Sequence, residues 1–350
     1  MNPSLLNIPV RTVPMKAPSA SSPVDATFVL CVESGPLETQ TVMAVESLRR
    51  WGGRFAECPV LAITPRRGAA LTRGTRTAFD RLGVSWHGFE ARHDAGWYGP
   101  MNKPAALDRA DALATTGTVV WIDSDVIVIA EPSELELNDG EGFAALPGSR
   151  LHDMASDGDN EHESFWRAML ASLDISECDF PSISGHPGED REVRMYWQGG
   201  VFAYCRSSQL GRAHFDFSNR LISARLASRV CGAYFTEQLG LALAVHDRGL
   251  RHRVLPQSCN LMVNPVVAGR VGAEAIADAK IVHYFGSLWP DAFDGFVALL
   301  SVHRPDVAEW VRGHGPLRDR RPVFRRLLGR LERRRRRDEA RDYLATCELH

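Results

Sequence analysis

The first apolar run of strand length is Thr27-Phe28-Val29-Leu30-Cys31-Val32, and the turn cluster Glu33-Ser34-Gly35-Pro36 ends it. A helix is predicted from there to Trp51, with Val45, Leu48 and Trp51 near one face and Gly52-Gly53 as the stop. Val60-Leu61-Ala62-Ile63 reads as a second strand, closed by Thr64-Pro65, and the alternating Val84-Ser85-Trp86-His87-Gly88-Phe89 as a third. Pro104 opens a helix to about Ala114, because a missing N–H costs nothing at the first helical position. Thr118-Val119-Val120-Trp121-Ile122 is nearly all β-branched, the pattern of a central strand buried on both faces. This alternation predicts an α/β fold with a mostly parallel central sheet and helices on both faces.

The second half is less regular. Asn160 to Asp174 is predicted as a helix with an Asn160/Glu163 capping box. Ser182 to Arg191 reads as a long polar loop and Val201 to Cys205 as a strand. Thr236 to Arg248 is a helix with Thr236 as N-cap and Gly249 as stop, and Leu250 to Leu255 and Lys280 to Phe285 are short strands. Residues 1–24 hold five Pro and several Ser without periodicity and are expected to be disordered. The expected organisation is that lead-in, one domain over 25–315, and an Arg-rich helical tail over 316–350.

Charge changes the picture only at that tail. The chain carries 41 basic and 43 acidic residues, which argues against a general nucleic-acid surface. Pro316 to Arg337 nevertheless holds eleven Arg against Asp319 and Glu332. Apolar Val323, Leu327, Leu328 and Leu331 recur there at helical spacing. The pattern suits peripheral contact with an anionic membrane through Arg325 to Arg337, at ~1 kcal/mol per basic residue near the surface. It equally suits a helix docked on its own domain that frays into Arg333 to Arg337; nucleic acid is a weaker third option. Seven scattered Cys, with no C-x-x-C pair, read as reduced thiols. With no signal peptide and no apolar run of bilayer-spanning length, a cytoplasmic location is expected.

The chemistry concentrates in Trp121-Ile122-Asp123-Ser124-Asp125-Val126-Ile127-Val128. On extended backbone the i, i+2 spacing sends both carboxylates to the same side. Two like charges ~4 Å apart repel by about 4 kcal/mol at an effective dielectric near 20. Such a pair needs solvent, a shared proton or a cation, and a hard divalent ion that also takes phosphate oxygens satisfies it. The pair also follows a strand, and the carboxyl ends of strands are where open α/β sheets bind ligands. A strand-end turn with two solvated Asp is the plain alternative.

The surroundings favour the cation. Trp121 to Pro132 resembles the apolar strand, D-x-D, apolar strand and acidic-Pro turn of GT-A fold glycosyltransferases, most nearly the retaining family-eight type. Tyr196-Trp197-Gln198-Gly199-Gly200-Val201-Phe202, Phe235-Thr236-Glu237-Gln238 and His283-Tyr284-Phe285-Gly286 resemble further motifs of that family, in order, over roughly residues 26–291. The resemblance implies a GT-A nucleotide-diphospho-sugar transferase fold and a metal-dependent transfer of a hexose from a nucleotide sugar, UDP above all. The implied acceptor is an unspecified glycan, lipid-linked or protein group, and the product retains its anomeric configuration.

Placed on this chain, the resemblance implies that Asp123, Asp125 and His283 hold Mn²⁺ or Mg²⁺. Glu33, Ser34, Lys103, Asp123, Ser124 and Gly286 would bind the donor, with Glu237 and Gln198 the catalytic candidates. Gln198 stands where the family has Asn, Glu237 where it has Asp, and Trp289 where it has a diphosphate-binding Lys. Two other classes stay open, a non-catalytic carbohydrate or membrane adaptor and a sugar nucleotidyltransferase. The Gly-rich basic loop of the latter is missing after the first strand.

Overall fold

Strands form where the apolar runs fall. The computed structural model describes residues 24–150, 153–187, 189–267, 269, 271–319 and 321–350. Its first half runs β1 (Ala26–Cys31), α1 (Pro36–Trp51), β2 (Val60–Thr64), α2 (Arg73–Leu82), β3 (Val84–Gly88), α3 (Asn102–Leu113), β4 (Thr118–Ile122), β5 (Val126–Val128) and β6 (Phe143–Pro147). There follow α4 (Glu163–Ser172), β7 (Ser182–Ser184), β8 (Glu192–Arg194), β9 (Trp197–Cys205), α5 (Leu210–Ala224), β10 (Leu226–Ala227), α6 (Thr236–Asp247) and β11 (His252–Val254). The last part holds β12 (Leu261–Met262), α7 (Val263–Val267), α8 (Ala275–Asp278), β13 (Ile281–His283), α9 (Phe293–His303), α10 (Pro305–His314), α11 (Val323–Leu344) and β14 (Glu348–Leu349).

The central sheet has the order β11-β6-β9-β4-β1-β2-β3. Every neighbouring pair is parallel except the two made by β9. Alternation along the strands divides the core. Val29, Val119 and Trp121 face Leu107, Ala110 and Leu239 of α3 and α6, whereas Phe28, Leu30, Val120 and Ile122 face Ala44, Val45 and Leu48 of α1. Helices therefore cover both faces, as the patterning predicts. A smaller sheet, β12-β13-β5, lies beside it and brings His283 next to Val126.

Several local expectations are corrected. The third helix begins at Asn102, so Pro104 occupies its third position; any first-turn site tolerates Pro because those N–H groups lack partners. No capping box closes α4, since Glu163 turns instead to Ser156, Arg167 and Arg194. The polar stretch from Ser182 is partly a hairpin, β7 with β8. Thr236 is the first residue of α6, not its cap, and its hydroxyl donates to Ala233 O. The disorder expected of residues 1–24 falls, Val24 apart, outside the described residues; Val24 itself is buried.

The Arg-rich segment is helical through Arg333 to Arg337, without the expected fraying. Val323, Phe324, Leu327, Leu328 and Leu331 on α11 are all at least half exposed. The far end is tied down. Tyr343 packs on Trp97 with ring centroids 4.6 Å apart, and β14 pairs with β10.

Glu163 clamps the loop ahead of α4 to β8. Burial works against its charge, but hydrogen bonds from Arg194, Ser156 and Arg167 outweigh it and hold the carboxyl down at about 2. A depressed carboxylate stabilises the fold above its unfolded pKa and loses that contribution as pH falls through the folded value. Glu163→Gln should therefore cost about 2–3 kcal/mol at pH 7. In urea melts across pH, the gap from wild type should shrink as pH drops from about 5 toward 2; a constant gap would refute this role.

Candidate active site

The chain order places the site. Between β1 and β4 the strand order reverses, and ligands of open α/β sheets bind at the carboxyl ends there. A cavity of about 680 Å³ opens at that edge. Cys31 from β1, the Asp123-Ser124-Asp125 turn after β4, and Gln198-Gly199-Gly200 from the oppositely running β9 all line it. The two Asp reach it from a turn, not from the extended strand that the i, i+2 spacing suggests.

Asp123, Asp125 and His283 each bring one ligand atom to a common point, all within 4.8 Å of one another. His283 Nε2 lies 3.1 Å from Asp125 Oδ1, and His283 Nδ1 lies 3.2 Å from Asn260 Oδ1. Burial works against an imidazolium here, but Asp125 outweighs it and raises His283 above the ordinary histidine range. The Phe285 ring stacks on His283 at 4.1 Å, with Phe285 in the left-handed region at φ 48°. A bulky residue rarely adopts that backbone, so strain is held beside the triad.

Behind the triad sits Lys103, on the first turn of α3. Its ammonium donates to Gly199 O at 2.7 Å and to Glu237 Oε1 at 3.1 Å, and it lies 3.3 Å from Asp123 Oδ1. Burial pulls the ammonium down, yet Asp123 and Glu237 outweigh it and hold it above the usual lysine range. Glu237 is its counterpart. Burial pushes that carboxyl up, but Lys103 and His214 bring it below the ordinary value, so the carboxylate is charged. Trp121 Nε1 donates to Asp123 Oδ1 at 2.8 Å and fixes the first Asp.

Two glycines make room. A Cβ at Gly199 would stand 2.8 Å from Lys103 Nζ, and one at Gly200 would stand 2.8 Å from His283 Nδ1. The Gly-Gly pair after Gln198 is thus a steric condition for both groups.

The structure brings Lys103, Asp123, Ser124, Asp125, Gln198, Glu237 and His283 to the cavity wall. Glu33, Ser34 and Gly286 are not among the residues that line it. Glu33 accepts from Asn102 Nδ2 at 2.6 Å and pairs with Arg66 at 2.9 Å. The Ser34 carbonyl accepts from Arg321. Gly286 O accepts from the Trp289 amide. The Ser124 hydroxyl is spent on Cys31 O. The residue reading missed Asn260, Tyr234 and the wall position of Gln238. Gln238 Oε1 accepts from Tyr196 at 2.8 Å. Tyr234 is 66% exposed on the rim. Nothing local marks Asn260; only its meeting with His283 and Gln198 does.

Residues 28–249 match the family model of the Rhodobacterales glycosyltransferase domain. No curated protein matches the chain. Among solved structures, the chain is similar to the apo structure of the bifunctional glycosyltransferase WbbM, at 14% identity and TM-score 0.44, over 86% of this chain and 53% of that one. The chain thus spans about half the length of that protein. It is also similar to an active-site mutant of LgtC, at 12% identity and TM-score 0.48. The galactosyltransferase LgtC with donor and acceptor sugar analogues gives 14% and 0.47. Each LgtC comparison covers 79% of this chain and 96% of the other.

Removing one partner of a buried ion pair leaves the other charge stranded, at about 3–5 kcal/mol. Lys103→Met should destabilise by about that amount, and adding Glu237→Gln should restore more than half of it. A double-mutant cycle in urea checks this; additive losses would show that the two groups do not act as a pair.

Proposed function

The chain belongs to the Rhodobacterales glycosyltransferase domain family, and from that membership we propose that it moves a hexose from a UDP-sugar to an acceptor with retention of anomeric configuration. The observation that carries the reading is the convergence of Asp123, Asp125 and His283 on one point at the carboxyl edge of the sheet. The donor set fits a divalent ion: two carboxylates and an imidazole suit Mn²⁺, with Mg²⁺ second. When bound, such an ion neutralises charge developing on a departing diphosphate.

The chain's own residues do the rest. Lys103 is the one lysine or arginine on the cavity wall among the described residues, and we place it beside the donor phosphates. Glu237, charged and 4% exposed, faces the positive charge that grows on the anomeric carbon as its bond to the diphosphate oxygen breaks. The new bond forms to an acceptor hydroxyl, whose proton passes to the departing diphosphate oxygen. Gln198 lines the wall beside Glu237, and Ser124 holds the turn to β1. Glu33, outside the lining, acts by fixing Asn102, which is part of it. The uncovered ring of Tyr234 offers the acceptor sugar an apolar face. Trp289 stands where related enzymes carry a lysine, and the Lys103 ammonium is already shared by Asp123, Glu237 and Gly199 O, so neutralisation of the diphosphate falls chiefly on the ion.

A second surface fits a membrane. No helix among the described residues is long and apolar enough to cross one. The exposed apolar residues of α11 nonetheless lie among Arg325, Arg326, Arg330 and Arg333 to Arg337, which suits an interfacial helix on anionic lipid. We propose peripheral attachment through this helix.

Two measurements test these readings. In thermal melts, Mn²⁺ with UDP at ~100 times its dissociation constant should stabilise wild type by about 2.7 kcal/mol, and Asp125→Ala should abolish the shift. An adaptor would keep function in that variant, and the absence of any nucleotide shift would sink the donor site. Separately, the chain should sediment with vesicles containing phosphatidylglycerol but not with pure phosphatidylcholine. Salt, or Leu327→Ser with Leu331→Ser, should release it; binding indifferent to both would exclude the helix as the anchor.

A further inference from the structure

A chain of hydrogen bonds runs from Asp153 to the back of His283, and its polarity is fixed from one end. Gln198 Nε2 donates to Asp153 Oδ2 at 3.4 Å. A carboxylate at neutral pH only accepts, and Asp153 Oδ2 also accepts the Ser149 amide at 3.0 Å. The Gln198 amide therefore has its nitrogen toward Asp153 and its oxygen turned away. That oxygen accepts from Asn260 Nδ2 at 3.0 Å. The reverse orientation of either amide would set oxygen against oxygen or nitrogen against nitrogen. Asn260 must then present Oδ1 to His283 Nδ1, 3.2 Å away. An oxygen acceptor there requires the proton on Nδ1, so Nε2 is the atom that faces Asp125 and Asp123, sharing a proton with Asp125 when no ion is bound and free to offer its lone pair when one is.

We infer that Gln198 and Asn260 are positioning residues that select the Nδ1–H tautomer of His283, so that Nε2 is the atom offered to a divalent cation. The inference rests on the metal triad proposed above. Both amides are almost fully buried, Gln198 at 4% and Asn260 at 2% exposure, so water does not compete for their polar atoms. The relay gives Gln198 a task that needs no contact with the sugar. It also gives Gly200 a second reason to lack a side chain: a Cβ would stand 3.1 Å from Asn260 Nδ2 as well as against the His283 ring.

Orienting partners behind a ligating histidine typically contribute 10–100-fold in metal affinity. The test uses the full chain without nucleotide. Ring ¹⁵N shifts of His283, assigned by comparison with His283→Gln, are read in protein saturated with diamagnetic Zn²⁺, where the ion takes the place of the proton shared with Asp125. Mn²⁺ affinity is read by electron paramagnetic resonance. Wild type should show Nδ1 protonated. Asn260→Ala should give a mixture of tautomers and about 10–100-fold weaker Mn²⁺ binding. Asn260→Asp, which keeps an acceptor at that point, should restore the tautomer and most of the affinity. Gln198→Leu should loosen the tautomer without touching the ligands. Nε2 protonated in wild type, or Asn260→Ala and Asn260→Asp behaving alike, would overturn the inference. Because the tautomer is read with metal but without donor, a failure of the sugar-transfer reading leaves this result standing, whereas wild type that binds no divalent ion overturns the triad and the inference together.

Discussion

One buried ammonium governs the geometry of the site. Lys103 lies at the start of α3, yet its three contacts belong to three other segments: the turn after β4, the first residues of β9 and the first turn of α6. Taking that charge out of water is costly unless every donor finds an acceptor, and here Gly199 O, Asp123 and Glu237 supply them. The pairing also explains why a glutamate is tolerated at 4% exposure. Glu237 is held charged beside a cavity, a state an unpaired buried carboxyl does not keep. The helices that carry these groups pack against α5, whose buried His214 donates to Glu237 O and lies 3.6 Å from its carboxylate. The core of the β9 side and the charge network of the site are therefore one structure.

Where an element was decided by its own residues, the sequence was legible. β4 is Thr118–Ile122 as its β-branched run predicts, and α1 ends at Trp51 before the Gly pair. The D-x-D turn, His283 and the Gly-Gly after Gln198 all fall at the cavity for reasons visible in one short stretch each. The patterning read above assigns none of α2, α5, α9 and α10, although signals exist for the first two. In α5, Leu210, Ala213, Phe217 and Leu221 repeat at helical spacing, and α2 begins at a Thr72 cap and stops at Gly83 in the left-handed region. What was not legible depended on tertiary neighbours. Glu33 and Ser34 follow β1 as a binding loop should, but Arg66 and Asn102 hold the first and Arg321 covers the second. Position after a strand brings a residue to the right edge of the sheet, and side-chain partners from distant segments then decide whether it faces the cavity.

The same limit applies with more force behind the metal triad. Asp153, Gln198, Asn260 and His283 come from four separate segments, and no spacing rule connects them. Their order matters because amides have direction: one carboxylate at the far end determines which atom each later group presents. Gln198 and Asn260 are both residues whose local role, a strand start and a short turn before β12, gives no hint of this. Fixing a histidine from behind also makes sense of the strained Phe285. Its ring covers one face of the imidazole while Asn260 holds the edge, so the group is gripped on two sides.

Charge then sets the order in which such a site can be filled. Asp123, Asp125, Asp153 and Glu237 line the cavity against Lys103, the one lysine or arginine among the described residues of its wall. A nucleoside diphosphate approaching that wall meets net negative charge in a partly dehydrated space, where repulsion is weakly screened. Lys103 offers little relief, because its ammonium is already shared by Asp123, Glu237 and Gly199 O. On the reading proposed here, nucleotide affinity must therefore depend steeply on a dication at Asp123, Asp125 and His283. With Trp289 in place of a further lysine, nothing else among the described residues of the wall can substitute for it. The consequence is a strong mutual dependence: the ion's three protein ligands leave room for phosphate oxygens, and the phosphates lack a place on this wall without the ion. Binding of each raises the affinity of the other by the same factor, since coupling between two ligands is reciprocal. On that reading the acidic wall is a selectivity device, excluding free anions that do not bring or share a divalent cation.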